Sequence, residues 1–169
     1  KEYRRQRQMC IRDRDEMIAE KVAMSVEALT DSFSEEEINA LISFGKNLGI
    51  AFQLKDDALD YSGDEKILGK NIGDDFFEGK VTLPIILAYR RVNVSEREFL
   101  ENSFNNKIRN KDLLKKAIKI INQYNTINDT LSKAKQHGRV AKDALAIFPE
   151  TEFKVALMRL VDFSIIRSN

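Results

Sequence analysis

The chain has 169 residues, of which 43% are hydrophobic and 33% charged, and its formal net charge at pH 7 is +1. This length and composition are sufficient for a buried core and exclude a compositionally disordered chain. One cysteine excludes an internal disulfide framework and fits a reducing cytosol, so we expect a cytoplasmic protein. The near-neutral charge argues neither for nor against a polyanionic partner. We expect no nucleic-acid binding. No apolar run approaches the roughly 20 residues of a membrane span.

The first 14 residues differ in composition from the rest of the chain. They carry six basic and two acidic residues and show little apolar periodicity. A basic arm for nucleic acid is one interpretation. We favour a non-native or disordered leader over residues 1–14, with the folded domain over residues 15–169.

A long helix is predicted to begin after Ser34 and to end near Ser62. Ser34 and Glu37 have the spacing of a capping box, in which each side chain accepts a backbone N–H of the first turn. At about 100° per residue, five positions share an arc of roughly 80° on one face of this helix. They are Gly45, Gly49, Phe52, Asp56 and Asp60. This face is therefore lined by glycine for two turns and by carboxylates at its end.

The acidic cluster Asp56, Asp57 and Asp60 is the strongest chemical signal in the sequence. Three mutually repelling carboxylates belong either in open water or beside a cation, and Mg2+ prefers oxygen ligands completed by water and phosphate. Two lysines, Lys70 and Lys80, follow on a glycine-rich connection and can meet the remaining phosphate charge. A solvated acidic helix end is the simpler alternative. The combination favours a diphosphate site.

Beyond this connection the sequence predicts helices only. One is expected to start at Thr82-Leu83-Pro84, and a second capping box is expected from Ser95 to Glu98. The asparagine-rich stretch 102–111 is predicted to be a loop. Three later apolar stripes predict helices, which run from Leu114 toward Leu131, from Val140 to Phe148 before Pro149, and from Phe153 to Phe163. His137, beside Gly138, is expected in a turn or at a helix end. No alternating strand pattern occurs, so the predicted fold is all-α.

The motifs resemble a known family. The pattern G-x3-G-x2-FQ-x2-DD-x-LDY, followed by GK-x2-GDD and GK-x-TLP, spans about forty positions. It resembles the second aspartate-rich region of the trans-type polyprenyl diphosphate synthases. The segments TLPIILAYRR and ALMRLVDFSIIR are similar to the long-chain octaprenyl and decaprenyl members.

This resemblance implies an isoprenoid-synthase-type helical bundle, Mg2+ as cofactor, and a homodimer when the protein is intact. It further implies condensation of isopentenyl diphosphate with an allylic diphosphate, giving a long-chain product that can enter membranes and serve quinone biosynthesis.

The resemblance also implies roles for individual residues. Asp56 corresponds to the principal metal ligand, with Asp57 and Asp60 as direct or water-mediated support, and these three form the catalytic set together with Lys70. The side chains expected to bind substrate diphosphate are Gln53, Lys70 and Lys80. Lys80 has a second interpretation as an anchor of the loop. Asp74 is expected to be a structural partner of the lysines rather than a ligand.

The chain departs from the family pattern in one respect. Family members carry a first aspartate-rich motif on an earlier helix, whereas the other Asp-Asp pair here is Asp74-Asp75 in the loop. We therefore expect the chain to be the C-terminal half of a synthase, to be inactive alone, and to expose apolar faces. Two alternatives are a non-catalytic subunit of a heteromeric prenyl synthase and a terpene cyclase. Retention of the aspartates and lysines argues against the first, and the motif run does not fit the second.

Overall fold

The computed structural model describes residues 33–62, 72–106 and 108–166, and the elements found there are helical. In chain order they are α1 (Glu35–Ser62), α2 (Asp74–Glu78), α3 (Leu83–Arg91), α4 (Val94–Asn105), α5 (Lys111–Gln123), α6 (Thr126–Ala144), a 3-10 turn (Leu145–Ile147) and α7 (Glu152–Ile166). No β-strand occurs among the described residues, which confirms the all-α prediction. The predicted leader 1–14 lies outside the described residues.

Two helices start where the sequence predicts. The backbone N–H of Glu37 donates to Ser34 Oγ at 3.2 Å, and the N–H of Ser34 donates to Glu37 Oε2 at 2.8 Å. This is the predicted capping box, and α1 ends at Ser62 as expected. Thr82 is the N-cap of α3, with Pro84 within the first two helical positions. Both starts depend on local interactions, which explains why the sequence predicts them.

The start of α4 corrects the second predicted capping box. The box is formed by Asn93 and Glu96, not by Ser95 and Glu98, and the N–H of Glu96 donates to Asn93 Oδ1 at 2.9 Å. The hydroxyl of Ser95 donates to the same Oδ1, so Ser95 already lies inside the first turn. Asparagine caps helices as well as serine does, and here it comes first in the chain.

The predicted loop over 102–111 is also too long. Helix α4 continues to Asn105, because Ser103 and Phe104 on its last turn are buried. Their burial outweighs the turn preference of the neighbouring asparagines.

The helix predicted from Leu114 toward Leu131 is two helices. The chain breaks between α5 and α6 at Asn125, whose φ of 55° is in the left-handed region that asparagine tolerates. Arg91 supports the break by donating from Nη1 to the carbonyl of Tyr124 at 2.9 Å and by pairing with Asp129 at 2.5 Å.

The expectation that His137 lies in a turn or at a helix end is wrong, because it lies well inside α6. Its Nδ1 is 2.8 Å from the side-chain oxygen of Asn47. The neighbouring Gly138 is buried, and a Cβ on it would lie 2.1 Å from Cδ1 of Ile165. This glycine allows α6 to approach α7 closely and does not end the helix.

The chain forms two compact units, whose boundaries fall at residues 53–54 within α1 and 133–134 within α6. Each unit has its own hydrophobic core. In the unit of residues 54–133 the core is formed by Tyr61, Phe76, Ile85, Ala88, Val92, Leu100, Phe104, Leu114, Ala117, Ile120 and Ile121. In the other unit it is formed by Phe44, Ala141, Leu145 and Val161, with Leu157, Met158 and Ile165 packed against them.

Helix α7 exposes apolar side chains, as we expected for this chain. Phe153 is 84% exposed, and Phe163 and Ile166 are 65% and 72% exposed. The predicted apolar stripe of α7 is therefore only partly a core stripe, because within it Leu157 packs on the core while both phenylalanines do not. None of the described helices has the length and apolar character that crossing a membrane requires.

Candidate functional site

The acidic cluster occupies the last two turns of α1, and its three carboxylates differ in exposure. Asp56 is exposed, Asp57 is buried with 6% of its surface accessible, and Asp60 is half-buried. Asp56 and Asp60 are one turn apart, so they share a helix face as predicted. The side chain most open to an incoming ion is therefore that of Asp56.

Asp60 caps the short helix α2. Its Oδ1 accepts the backbone N–H of Asp74 at 3.1 Å, and its Oδ2 accepts that of Asp75 at 3.2 Å. The backbone carbonyl of Asp60 also accepts the N–H of Gly73 at 2.9 Å. Three hydrogen bonds thus tie the end of α1 to the start of α2.

Opposing effects act on the Asp60 carboxyl. Burial, followed by the nearby charge of Asp75, raises the pKa of Asp60 to about 6 from its ordinary value of 3.8. The two backbone N–H groups act in the opposite direction, because they stabilise the ionised form. Asp60 therefore remains mostly ionised at neutral pH but gains a proton under mildly acidic conditions.

Two buried hydroxyls, those of Tyr61 and Thr82, lie within the motif region. Tyr61 Oη and Thr82 Oγ1 make no hydrogen bond of good geometry with the described residues, although both residues are nearly inaccessible. Burial raises the pKa of Tyr61, and the charge of Asp60 adds to that effect. Tyr61 is thus a neutral member of the core beside the acidic cluster at neutral pH.

Lys80 is held by two carboxylates of α2. Its Nζ lies 2.5 Å from Glu78 Oε2 and 3.3 Å from Asp75 Oδ1. The hydrogen bond to Glu78, and then that to Asp75, raises the pKa of Lys80, so its ammonium is charged at neutral pH. We expect Asp74 to be a structural partner of the lysines. For Lys80 this expectation is wrong, because the next residue, Asp75, forms the ion pair.

The structure brings only some of the predicted residues together. Through α2 it connects Asp60 with Asp75 and Lys80. Gln53 lies on α1 and is half-buried. Lys70 lies outside the described residues.

The oxygen donors suit a hard divalent cation. Among the described residues, no group of three histidine, cysteine or acidic side chains converges to hold a metal ion. Mg2+ does not need such a cage, since it is commonly held by one or two carboxylates together with water and phosphate oxygens. The exposed Asp56 fits this mode. Asp60 fits it less directly, because both of its oxygens already accept a backbone N–H.

Sequence reasoning missed Arg109, a half-buried residue between α4 and α5. Its guanidinium donates to the carbonyls of Phe104 at 2.8 Å, Ser103 at 3.1 Å and Phe77 at 3.3 Å. Because these acceptors are backbone atoms, no partner residue type could have revealed the contact. The one indirect signal is Gly79, whose missing side chain leaves space for the guanidinium.

Comparison with known proteins defines the class of this chain. Residues 5–121 match the polyprenyl synthetase family, and the chain belongs to that family. The helical architecture of the described residues is thus that of a polyprenyl synthase fold, as the sequence motifs predict.

Several individual proteins are similar to this chain. It is 35% identical over 147 residues to the octaprenyl diphosphate synthase of Haemophilus influenzae, covering 87% of this chain and 44% of that protein. It is 33% identical over 132 residues to the octaprenyl diphosphate synthase of Escherichia coli, covering 78% and 41%. A crystal structure of polyprenyl synthase from Caulobacter crescentus, complexed with calcium and isoprenyl diphosphate, superimposes with a TM-score of 0.79 at 39% identity. That match covers 92% of this chain and 49% of the other, so the chain spans about half the length of these relatives.

Proposed function

We propose that this chain is part of a long-chain trans-polyprenyl diphosphate synthase and forms one side of the site that binds the allylic diphosphate. The observation that carries the proposal is the connection through Asp60. It joins the carboxylate-bearing end of α1 to the segment that presents Lys80. Membership of the polyprenyl synthetase family supports the same assignment.

The proposed reaction begins when the allylic C–O bond breaks and diphosphate leaves with the electron pair. The double bond of isopentenyl diphosphate then attacks the allylic cation, a new C–C bond forms, and a proton is lost. The product is an allylic diphosphate that is longer by one isoprene unit. Because the barrier is a separation of charge, the residues that hold the departing diphosphate carry most of the catalysis.

Several residues of this chain would hold the departing diphosphate, each in a different way. Asp56, supported by Asp57 and Asp60, would hold Mg2+, which when bound neutralises the charge that develops on diphosphate. Gln53 and Lys70 would contact the diphosphate directly. Lys80 would supply a further positive charge from a position fixed by Asp75. In this assignment Asp60 also holds α2 in place, since its oxygens accept the two N–H groups at the start of that helix.

Further properties follow from the same proposal. The substrates would be isopentenyl diphosphate and an allylic diphosphate, the intact protein would be a cytoplasmic homodimer, and its long product would partition into membranes. The relatives named above are synthases, which supports a synthase over an accessory subunit or a terpene cyclase.

A chimeric enzyme tests the proposal. Residues 35–82 of this chain would replace the matching segment of the Escherichia coli octaprenyl diphosphate synthase, and incorporation of labelled isopentenyl diphosphate would be measured. We expect the chimera to elongate the allylic substrate, and Asp56→Asn in it to lower turnover by about a hundredfold or more. The 169-residue chain alone is expected to show no elongation. A folded chimera without activity, or one indifferent to Asp56→Asn, would contradict the proposal.

A further inference from the structure

The segment 74–80, which contains α2 and Lys80, is held at both ends by side chains that lie outside it. At its start, the Asp60 carboxylate accepts the N–H groups of Asp74 and Asp75. At its end, Arg109 Nη1 donates to the carbonyl of Phe77. A helix of five residues has little stability of its own, so these outside contacts determine where it lies.

Arg109 links this segment to the end of α4. Besides the carbonyl of Phe77, it binds those of Ser103 and Phe104, and its guanidinium carbon lies 5.9 Å from the centre of the Phe104 ring. Carbonyls at the end of a helix lack intrahelical partners and carry partial negative charge, so a cation that donates to them is favourable. One side chain therefore holds the ends of two helices together.

Gly79 shows how closely the guanidinium approaches the backbone beside Lys80. A Cβ on Gly79 would lie 2.5 Å from Arg109 Nη2, and its φ of 77° is in the left-handed region. The backbone N–H of Lys80 then donates to the carbonyl of Asp75 at 2.8 Å. Arg109 thus packs against the peptide that joins Gly79 to Lys80.

We infer that Arg109 is a positioning residue for Lys80, fixing the backbone from which that lysine meets diphosphate. The inference rests on the proposed function, in which Lys80 is a diphosphate contact. Among the described residues, the hydrogen bonds of Arg109 go to backbone carbonyls, so Arg109 acts on the ligand through Lys80. Without Arg109, Lys80 would keep its charge and its carboxylate partners on α2. The backbone that carries Lys80 would, however, be less firmly fixed.

A double-mutant cycle on the 169-residue chain tests this role. The affinity for inorganic diphosphate in the presence of Mg2+ would be measured by calorimetry for the wild type, Arg109→Lys, Lys80→Ala and the double variant. Lysine keeps the charge but cannot reproduce the three-way donation of the guanidinium. We expect Arg109→Lys to weaken binding about two- to tenfold in the wild-type background and to have no further effect in the Lys80→Ala background. Arg139→Lys, an exposed change on α6, is the matched control and should leave affinity unchanged.

Hydrogen exchange provides a readout that does not depend on the ligand. We expect the Lys80 amide to exchange faster in Arg109→Lys, while amides in the middle of α3 keep their wild-type rates. If Arg109→Lys does not fold, Gly79→Ala perturbs the same contact from the other side and should give the same non-additive pattern with Lys80→Ala.

If the wild type binds diphosphate, either of two results would overturn the positioning role of Arg109 without affecting the proposed function. One is unchanged affinity and unchanged Lys80 exchange in the variant, and the other is an equal loss of affinity in both backgrounds. A wild-type chain that binds no diphosphate would instead refute the proposed function, and the positioning role with it.

Discussion

At the scale of single residues, the carboxylates of one acidic motif perform different tasks. Asp56 is exposed at the end of α1 and suits a hydrated cation, whereas Asp60 uses both oxygens to cap α2. The i, i+4 spacing places them on the same helix face, but it does not reveal that Asp60 accepts hydrogen bonds from the start of α2. In the proposed function the motif would therefore serve ligand binding through Asp56, while Asp60 stabilises the start of α2.

The raised pKa of Asp60 makes the stability of the chain depend on pH. Its folded-state pKa of about 6 exceeds the ordinary value of 3.8, so between these values the folded state binds more protons than the unfolded state. Stability from this group is then fully present below about pH 4 and is lost as the pH rises through about 6. Asparagine does not titrate. The difference in free energy of unfolding between the wild type and Asp60→Asn should therefore fall as the pH rises from about 4 through about 6, and it should be constant at higher pH.

Urea unfolding at several pH values between 4 and 7.5, in metal-free buffer, measures this difference. Asp143→Asn, which changes an exposed carboxyl on α6, serves as the control and should show no comparable trend. Parallel stability curves for the wild type and Asp60→Asn would show that the Asp60 pKa is not raised.

At the scale of helices, contacts between elements determine features that local patterns miss. Gly138 lies inside α6, where a glycine costs about 1 kcal/mol relative to alanine. The structure supplies the reason, because a Cβ there would lie 2.1 Å from Cδ1 of Ile165 and 3.3 Å from Cγ1 of Val161. The glycine is thus a packing requirement of the α6–α7 contact.

This packing predicts a specific non-additivity. Gly138→Ala gains helix propensity but crowds Ile165, and we expect a net loss of about 1 kcal/mol in the free energy of unfolding. Ile165→Val removes the Cδ1 atom that meets the new methyl group. The double variant should therefore be more stable than the sum of the two single changes predicts, as measured by urea unfolding. Strict additivity would mean that α6 and α7 do not pack at this position.

The helices also show what the sequence could and could not predict. The starts of α1 and α3 were predictable because Ser34, Glu37 and Pro84 act on backbone atoms within one turn. The start of α4 was missed because Asn93 and Ser95 are both good caps, and only the folded chain decides between them. The position of His137 was missed because Gly138 is explained by contacts with α7, far away in the sequence.

The candidate site likewise contains residues that the sequence predicts and one that it does not. The acidic cluster and Lys80 were found because their residue types and spacing are distinctive within about forty positions. Arg109 could not be found, because its partners are carbonyls of Phe77, Ser103 and Phe104, and any residue type could supply them. Motifs thus identify candidate ligand-binding groups more readily than the residues that hold the motif in place.

At the scale of the whole molecule, the chain belongs to the polyprenyl synthetase family and spans about half the length of its relatives. Each of its two units has a core of its own, yet α7 leaves large apolar side chains such as Phe153 and Phe163 exposed. The acidic end of α1 and the segment through Lys80 belong to the same unit, that of residues 54–133. In the proposed function, diphosphate binds through a metal held at Asp56 of this unit.

Calorimetric titration of the chain with inorganic diphosphate, with and without Mg2+, tests that claim most directly. The wild type should bind diphosphate only when Mg2+ is present, and Asp56→Asn should weaken binding by about tenfold or more, while Asp143→Asn binds as the wild type does. Equal binding by the wild type and Asp56→Asn, or binding that persists after Mg2+ is chelated, would contradict the claim.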